Sequence, residues 1–419
     1  PPRSTLFPYT TLFRSERDKK YLNIVALFEN AFPIAEAASN RLISIAKGIN
    51  ELGHHIVVYC IRPSERPPNI VNKDIHGIIE GVEYFYPAKT TIWPHKKSSR
   101  IIMLAKGIFT TWSVISKSHN DVKIDIVLSY TYSAFTNTIF WFFTRIYKIK
   151  FVYLIDEYPY SILYPQKNNF LFKWYDFNLS VKLFDFILVI SNPLHKFYNA
   201  RKKKRAGIEV IQMTVQPERF EQFDGESPNN KPYFAYAGFL GENKDGVDIL
   251  IEAFGKVANV HKDVLLYIIG YSNKKSDHDY LIELAKIHKV ENRIIFTGKI
   301  HRNDIPRYFC NAMCLVLARP DNIQAKGGFP TKLGEYLATG KPVIVTKVGE
   351  IPFYLKDNEN AFLAEPGSSD SFAHKMIEVI EDPIKAELIG LNGKRLTKEV
   401  FNYRVQAERI IKILDNSFD

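Results

Sequence analysis

Short apolar runs of strand length alternate with helix-patterned segments along most of this 419-residue chain. Residues 21–28 (YLNIVALF) read as a buried strand, 37–52 as a helix ending at Gly53, and 55–61 (HIVVYCI) as a second strand. Parallel strands need a long crossover, so a strand–helix–strand run is the seed of a parallel sheet. The alternation continues with strand 125–130, helix 136–147, strand 151–155, helix 170–184 and strand 186–190. A polar stretch at 216–231 (QPERFEQFDGESPNNK) then interrupts it and reads as a domain linker. A second series follows: strands at 233–237, 264–269, 293–296 and 314–317, with helices at 248–257, 280–288 and 304–311 between them. A last helix, 403–414, places Val405, Ile410, Ile411 and Leu414 on one apolar stripe.

This pattern predicts an α/β chain of two Rossmann-like, doubly wound domains facing a cleft, with ligands beyond the carboxyl ends of the strands. The expected divisions are a first domain at 20–216, a second at 217–400, and a terminal helix at 401–419 packing back on the first. Residues 5–15 (TLFPYTTLFRS) resemble a translated sequencing adapter, so 1–19 are set apart as an artefactual or disordered leader.

Lys plus Arg is 56 and Asp plus Glu is 45, a net charge of +11 that favours anionic partners. Cys60, Cys310 and Cys314 have no metal-site spacing and suggest no disulfide framework, so a reducing cytoplasm is expected. No apolar run reaches the roughly 18 residues that a membrane helix needs. No nucleic-acid motif accompanies the charge, and no nucleic acid is expected as a partner.

Residues 328–346 (GFPTKLGEYLATGKPVIVT) carry the strongest chemical signal. Two glycines (Gly327 and Gly328) and a proline lead into a short helix, Gly340 ends it, and an apolar strand starts at Val343. Such a helix start aims backbone N–H groups and the positive end of a dipole at an anion, for instance a diphosphate. Glu335 lies one turn inside, where a carboxylate can accept bonds from hydroxyls. Its plainer reading is a solvated helix residue.

With this segment in the second of two α/β domains, the chain resembles the retaining glycosyltransferases of the GT-B fold, family 4. The likeness is strongest over 231–366. The resemblance implies a nucleotide-diphosphate sugar as donor, no obligatory metal or other cofactor, and a sugar or lipid-linked acceptor. The family pattern is a Glu, seven residues and a second Glu. The second falls on Glu335, the ribose ligand in the family, whereas the first falls on Gly327. The resemblance also assigns the donor to Gly328, Phe329, Thr331 and Lys332. It matches Lys244, in the loop after Gly238, to the lysine that offsets charge on the departing diphosphate. The arginine common in that loop is replaced by Phe239, and Lys332 or Arg319 is the expected substitute. Gly298 and Lys299 resemble the start of the nucleobase pocket. By residue type alone, Lys244 is a surface lysine and Gly298 a turn glycine.

In the first domain, Asp156 and Glu157 follow a strand where relatives carry a histidine near the sugar. They are candidate catalytic carboxylates, or surface acids before a turn. Ser39, Asn40 and Arg41 begin a helix on the expected acceptor side, after a loop with Ala35 and Ala38 where relatives have glycine. Residues 92–112 mix Lys96, Lys97, Arg100 and Lys106 with Ile101, Ile102 and Leu104. That mixture fits an anionic membrane surface on the inner face of the cell membrane, or a core-facing helix with a basic wet side. The basic run 201–205 (RKKKR) reads first as a solvated loop. The leading expectation is a retaining transferase of bacterial polysaccharide or glycolipid synthesis. The alternatives are a GT-B-like sugar-nucleotide 2-epimerase, and a degenerate transferase acting as a binding subunit.

Overall fold

The computed structural model describes residues 21–33, 37–68, 70–159, 174–175, 178–221, 223, 225–241 and 244–418. The leader at 1–19, Ala35, the first turn of the helix expected at 170–184, and Glu242 and Asn243 lie outside the described residues. The chain forms two compact units, one of 1–212 with 403–419 and one of 213–402.

The first unit is built on an eight-stranded sheet: β1 (Asn23–Phe28), β2 (His55–Cys60), β3 (His76–Ile79), β4 (Val82–Phe85), β5 (Ile126–Tyr130), β6 (Lys150–Ile155), β7 (Phe186–Val189) and β8 (Gly207–Val210). Their order is β3-β4-β2-β1-β5-β6-β7-β8. Only the β3–β4 hairpin at one edge is antiparallel. Strand β1 pairs with β2 on one side and β5 on the other, and all but its first residue are buried. That double burial explains its continuous apolar run, since both faces of a parallel sheet are covered.

Helix α1 (Ala37–Glu51) covers one face with Leu42, Ile45, Ala46 and Ile49. The C-terminal helix, Tyr403–Phe418, packs on α1 through Ala407, Ile410 and Leu414. Val405, expected on its apolar stripe, is instead 37% exposed. Tyr403 and Ala407 take the inner positions, because α1 approaches closely at Gly48. A Cβ on Gly48 would lie 2.7 Å from the Ala407 Cβ. The buried Tyr403 donates its hydroxyl to Glu51 at 2.9 Å. Helices α2 (Lys97–Asp121) and α3 (Ala134–Ile146) meet through an edge-to-face contact of Trp112 with Phe143. At the far end of β6, Asp185 accepts from Arg145, Lys203 and the Phe151 amide at 2.7 to 2.9 Å. Burial alone would raise its carboxyl pKa, but these three donors outweigh it and hold the carboxyl below its usual value.

The second unit has a six-stranded sheet of β9 (Tyr233–Phe239), β10 (Leu265–Tyr271), β11 (Ile294–Gly298), β12 (Cys314–Leu317), β13 (Val343–Thr346) and β14 (Phe362–Ala364). The order is β11-β10-β9-β12-β13-β14, and every pair is parallel. This is the 3-2-1-4-5-6 order, whose direction reverses between β9 and β12. The stretch expected as a linker is partly structured: Glu218–Glu221 is a helical turn, and Phe220 is buried and stacks on Phe309. Two helices absent from the sequence reading, Ser369–Glu381 and Pro383–Glu399, cover the sheet beyond β14. The second approaches its neighbours closely at Gly390, where a Cβ would lie 2.5 Å from the Gly340 carbonyl oxygen.

Gly48→Val should cost about 1–3 kcal/mol through overpacking between α1 and the C-terminal helix, read as a lower urea midpoint. The stability that Asp185 contributes is complete above its unfolded pKa of about 4 and is lost as pH falls through the lower folded value. Asp185→Asn should therefore lose about 1 kcal/mol at pH 7, and the gap from the parent should close below about pH 3 in urea titrations at both pH values.

Candidate functional site

The loops after β9 and β12 meet at the switch point of the second sheet. Helix Thr331–Thr339 starts there, with Pro330 as its N-cap and no side chain capping its first amides. Gly340 ends it at φ +76°, a left-handed turn that glycine adopts without strain. The amide of Gly328 is already committed, donating to the Gln324 carbonyl at 3.1 Å. An anion at this helix start would thus meet the amides of Thr331 and Lys332 rather than that of Gly328, since Leu333 donates to the Pro330 carbonyl at 3.0 Å. The Phe329 ring is buried against Tyr354 and Phe401, which anchors the approach to the helix.

Glu335 is half-buried and accepts from Arg219 at 2.7 Å. Arg219 also donates to the Arg302 carbonyl at 3.0 Å. One guanidinium therefore ties the candidate ribose carboxylate to the segment after Gly298. Arg219 sits in the presumed linker and was not singled out from the sequence. The available signal was an Arg–Phe pair inside an otherwise polar stretch. Gly298 has φ +70° and open space around its Cα, and the exposed Lys299 places its ammonium 5.4 Å from the Tyr271 ring centre.

Lys332 bonds to the buried Asp245, a second residue missed in the sequence. Tyr236 donates to the same carboxylate oxygen at 2.8 Å. Gly238 makes this possible: a Cβ there would lie 2.0 Å from Lys332 Nζ. Burial lowers the pKa of the Lys332 ammonium and Asp245 opposes that. Burial would raise the Asp245 carboxyl, but Lys332 and the buried Arg319 outweigh it and hold the carboxyl low. Half-buried Lys244 lines a hollow of about 240 Å³ with Asp245, Asp248, Asp277 and Tyr280. The switch point thus gathers Lys244, Arg319 and Lys332 around one buried carboxylate, an arrangement suited to a strongly anionic guest.

In the first unit the expected acceptor-side trio is mostly interior. Arg41 is 1% exposed and donates to the carbonyls of Ile211 and Gln212 at 2.8 and 2.9 Å. Its Nε lies 3.1 Å from Asp156 Oδ1. Arg41, expected on the acceptor side, therefore pairs with an acid in the interior: the guanidinium turns inward because strand-end carbonyls and Asp156 satisfy it there. Ser39 is also buried and donates to the Ala31 carbonyl at 2.5 Å, which leaves Asn40 as the half-exposed member. Asp156 accepts from Tyr130, and burial raises its carboxyl above the usual value despite Arg41 and Tyr130. Glu157 follows it, partly exposed, at the end of β6. Among the described residues no group of three or more His, Cys, Asp or Glu could hold a metal ion. No described helix is long and apolar enough to cross a membrane.

Residues 217–396 match the model of the family described as glycosyl transferases group 1. The chain is 29% identical over 154 residues to the alpha-1,3/1,6-mannosyltransferase ALG2 of Dictyostelium discoideum, covering 36% of this chain and 35% of that protein. It is 25% identical over 284 residues to the capsular polysaccharide biosynthesis glycosyltransferase CapM of Staphylococcus aureus, covering 64% and 68%. The chain spans about two fifths of the length of the curated relatives it first matches. Among solved structures, Anabaena Alr3699/HepE in complex with UDP superposes with a TM-score of 0.69 at 18% identity, covering 94% of this chain and 100% of that one. A glycosyltransferase from Rickettsia africae superposes at 0.71 and 17% identity, covering 96% and 99%. The two Rossmann-like units have the fold of GT-B glycosyltransferases, and the match to the glycosyl transferases group 1 model lies within the second unit.

Proposed function

We propose that this protein transfers a sugar from a nucleotide-diphosphate donor to an acceptor hydroxyl with retention of anomeric configuration, in bacterial polysaccharide or glycolipid synthesis. The observation that carries this reading is the uncapped start of helix Thr331–Thr339 at the switch point, with Lys332 in its first turn and Glu335 one turn further. The family match over 217–396 and the glycosyltransferase names of the relatives support it. Neighbours solved with UDP and with UDP-glucose support a nucleotide sugar as donor.

In this reading Glu335 takes the ribose hydroxyls, with Arg219 holding its carboxylate. Gly298 and Lys299 flank the base. Thr331, Lys332, Lys244 and Arg319 face the diphosphate. As the bond from the anomeric carbon to the diphosphate oxygen breaks, both bonding electrons stay on that oxygen. The cations and helix amides stabilise the charge that builds there. The acceptor oxygen forms the new bond and passes its proton to the departing diphosphate oxygen. The acceptor is assigned to the first unit, with Asp156 and Glu157 as its candidate carboxylates.

A membrane surface is the proposed place of work. Between Glu83 and Asp121 the chain has six cations and no acid. Within that span Ile101, Ile102 and Phe109 are exposed on α2, and beyond it Phe135, Phe142 and Ile146 are exposed on α3. Apolar side chains among unopposed cations suit an anionic bilayer.

A thermal-shift screen over UDP-, GDP-, ADP- and dTDP-sugars tests the donor. A donor at about one hundred times its Kd should stabilise by about 2.7 kcal/mol, and silence across the panel would count against the reading. Nucleoside diphosphate released only with acceptor marks a transferase, whereas isomerised sugar nucleotide without acceptor marks the epimerase alternative. Glu335→Ala and Lys244→Ala should each lower turnover more than about tenfold, and near-parent rates in both would sink the site assignment. Phe109→Ser with Lys106→Glu should abolish flotation with phosphatidylglycerol vesicles and leave soluble-acceptor turnover intact. Equal flotation by the parent protein with phosphatidylcholine vesicles would refute the electrostatic part.

A further inference from the structure

Asp245 is an anomaly in a site built for an anion. It is buried at the centre of the switch point, with Tyr236 and Lys332 on one carboxylate oxygen. A buried carboxylate is costly, and here it also repels the guest that the surrounding cations attract. Asp245 offsets the buried Lys332 ammonium, so it has a structural role, but its place beside an anion site gives it a bearing on binding as well.

Its contacts show how. Lys332 Nζ is bonded to Asp245 Oδ2, lies 3.5 Å from the Tyr236 hydroxyl, and lies 4.8 Å from the centre of the Tyr236 ring. The lysine is held from three directions, beside the helix start that faces the diphosphate. The pocket for its ammonium exists because residue 238 has no side chain. A Cβ there would meet Lys332 Nζ at 2.0 Å, the Tyr236 hydroxyl at 2.3 Å and Asp245 Oδ2 at 2.9 Å.

We propose that Asp245 is a positioning residue that holds Lys332 ready for the donor and then competes for its ammonium, so that the released nucleoside diphosphate is not gripped. The inference rests on the donor-site reading above. Transfer leaves the nucleoside diphosphate with a terminal phosphate oxygen that the sugar formerly capped. That oxygen ionises with a pKa near about 6, so the product carries more negative charge than the donor. A fixed carboxylate at ion-pair distance therefore disfavours product more than donor, and Asp245 speeds release.

The test is calorimetric titration of UDP, GDP, ADP and dTDP, and of their hexose conjugates, into the parent protein, Asp245→Asn and Lys332→Met. With whichever nucleotide the parent binds, Asp245→Asn should tighten the nucleoside diphosphate about tenfold, or about 1.4 kcal/mol, and the nucleotide sugar by less. Its kcat should fall as release slows. Lys332→Met should weaken both ligands. Opposite signs for the two halves of one ion pair separate this role from a structural one, in which both changes weaken binding. Unchanged or weaker nucleoside diphosphate binding in Asp245→Asn overturns the proposal while leaving the donor site standing. If that variant does not fold, Asp245→Ser is held to the same outcomes. Gly238→Ala, whose Cβ would crowd Lys332 Nζ most closely and the Tyr236 hydroxyl and Asp245 Oδ2 as well, should weaken the nucleoside diphosphate, and unchanged affinity overturns the proposal. Failure of all four nucleotides to bind the parent protein overturns the donor-site reading itself, and this inference with it.

Discussion

Parallel pairing is the constraint on which the rest depends. In a parallel sheet every strand ends at the same edge, so every following loop opens there. The second sheet then reverses its winding between β9 and β12. The helices that leave these two strands lie on opposite faces and part, and the gap between their starts cannot be closed by packing. Lys244 and Asp245 come from one side of that gap, and Arg319 and Lys332 from the other. Residues far apart in sequence meet because two crossovers diverge.

Charge at this gap follows burial more than proximity. Lys332 and Asp245 each lose water, and each would be destabilised alone. Together they compensate, with Tyr236 filling a remaining lone pair. Arg41 and Asp156 repeat the pattern at the strand ends of the first unit. There the guanidinium is further satisfied by two main-chain carbonyls, while the carboxyl stays high in pKa. The two clusters differ in reach: Lys332 stands at a helix start that faces outward, whereas Arg41 is enclosed on every side.

Legibility in the sequence followed burial on both faces. Strands β1, β9, β10 and β12 were readable because each is a near-continuous apolar run. The short β3–β4 hairpin was not, since its edge strand has only four residues, with His76 and Gly77 half-buried and the apolar Ile78 exposed. Helix Pro383–Glu399 was missed because Gly390 and Gly393 look like breakers, although they are the points where neighbouring backbone comes closest. The helix start and Glu335 were visible as a local motif. Arg219 and Asp245 were invisible as site residues, because their meaning lies in partners more than 80 residues away. The burial of Arg41 was invisible for a related reason: its partners, the carbonyls of 211 and 212, are 170 and 171 residues away.

The first unit is discontinuous in sequence, being closed by helix Tyr403–Phe418. During synthesis, Leu42, Ile45, Ala46 and Ile49 emerge early, yet Ala407, Ile410 and Leu414, which belong to the same core, are made only after the whole of 213–402. The ribosome therefore delivers an unfinished first unit and a complete second one. The second can fold on arrival, while the first carries an open apolar seam until helix Tyr403–Phe418 has emerged. Damage to that helix would accordingly be felt as a folding defect of the first unit, and the second unit would be the last to notice it.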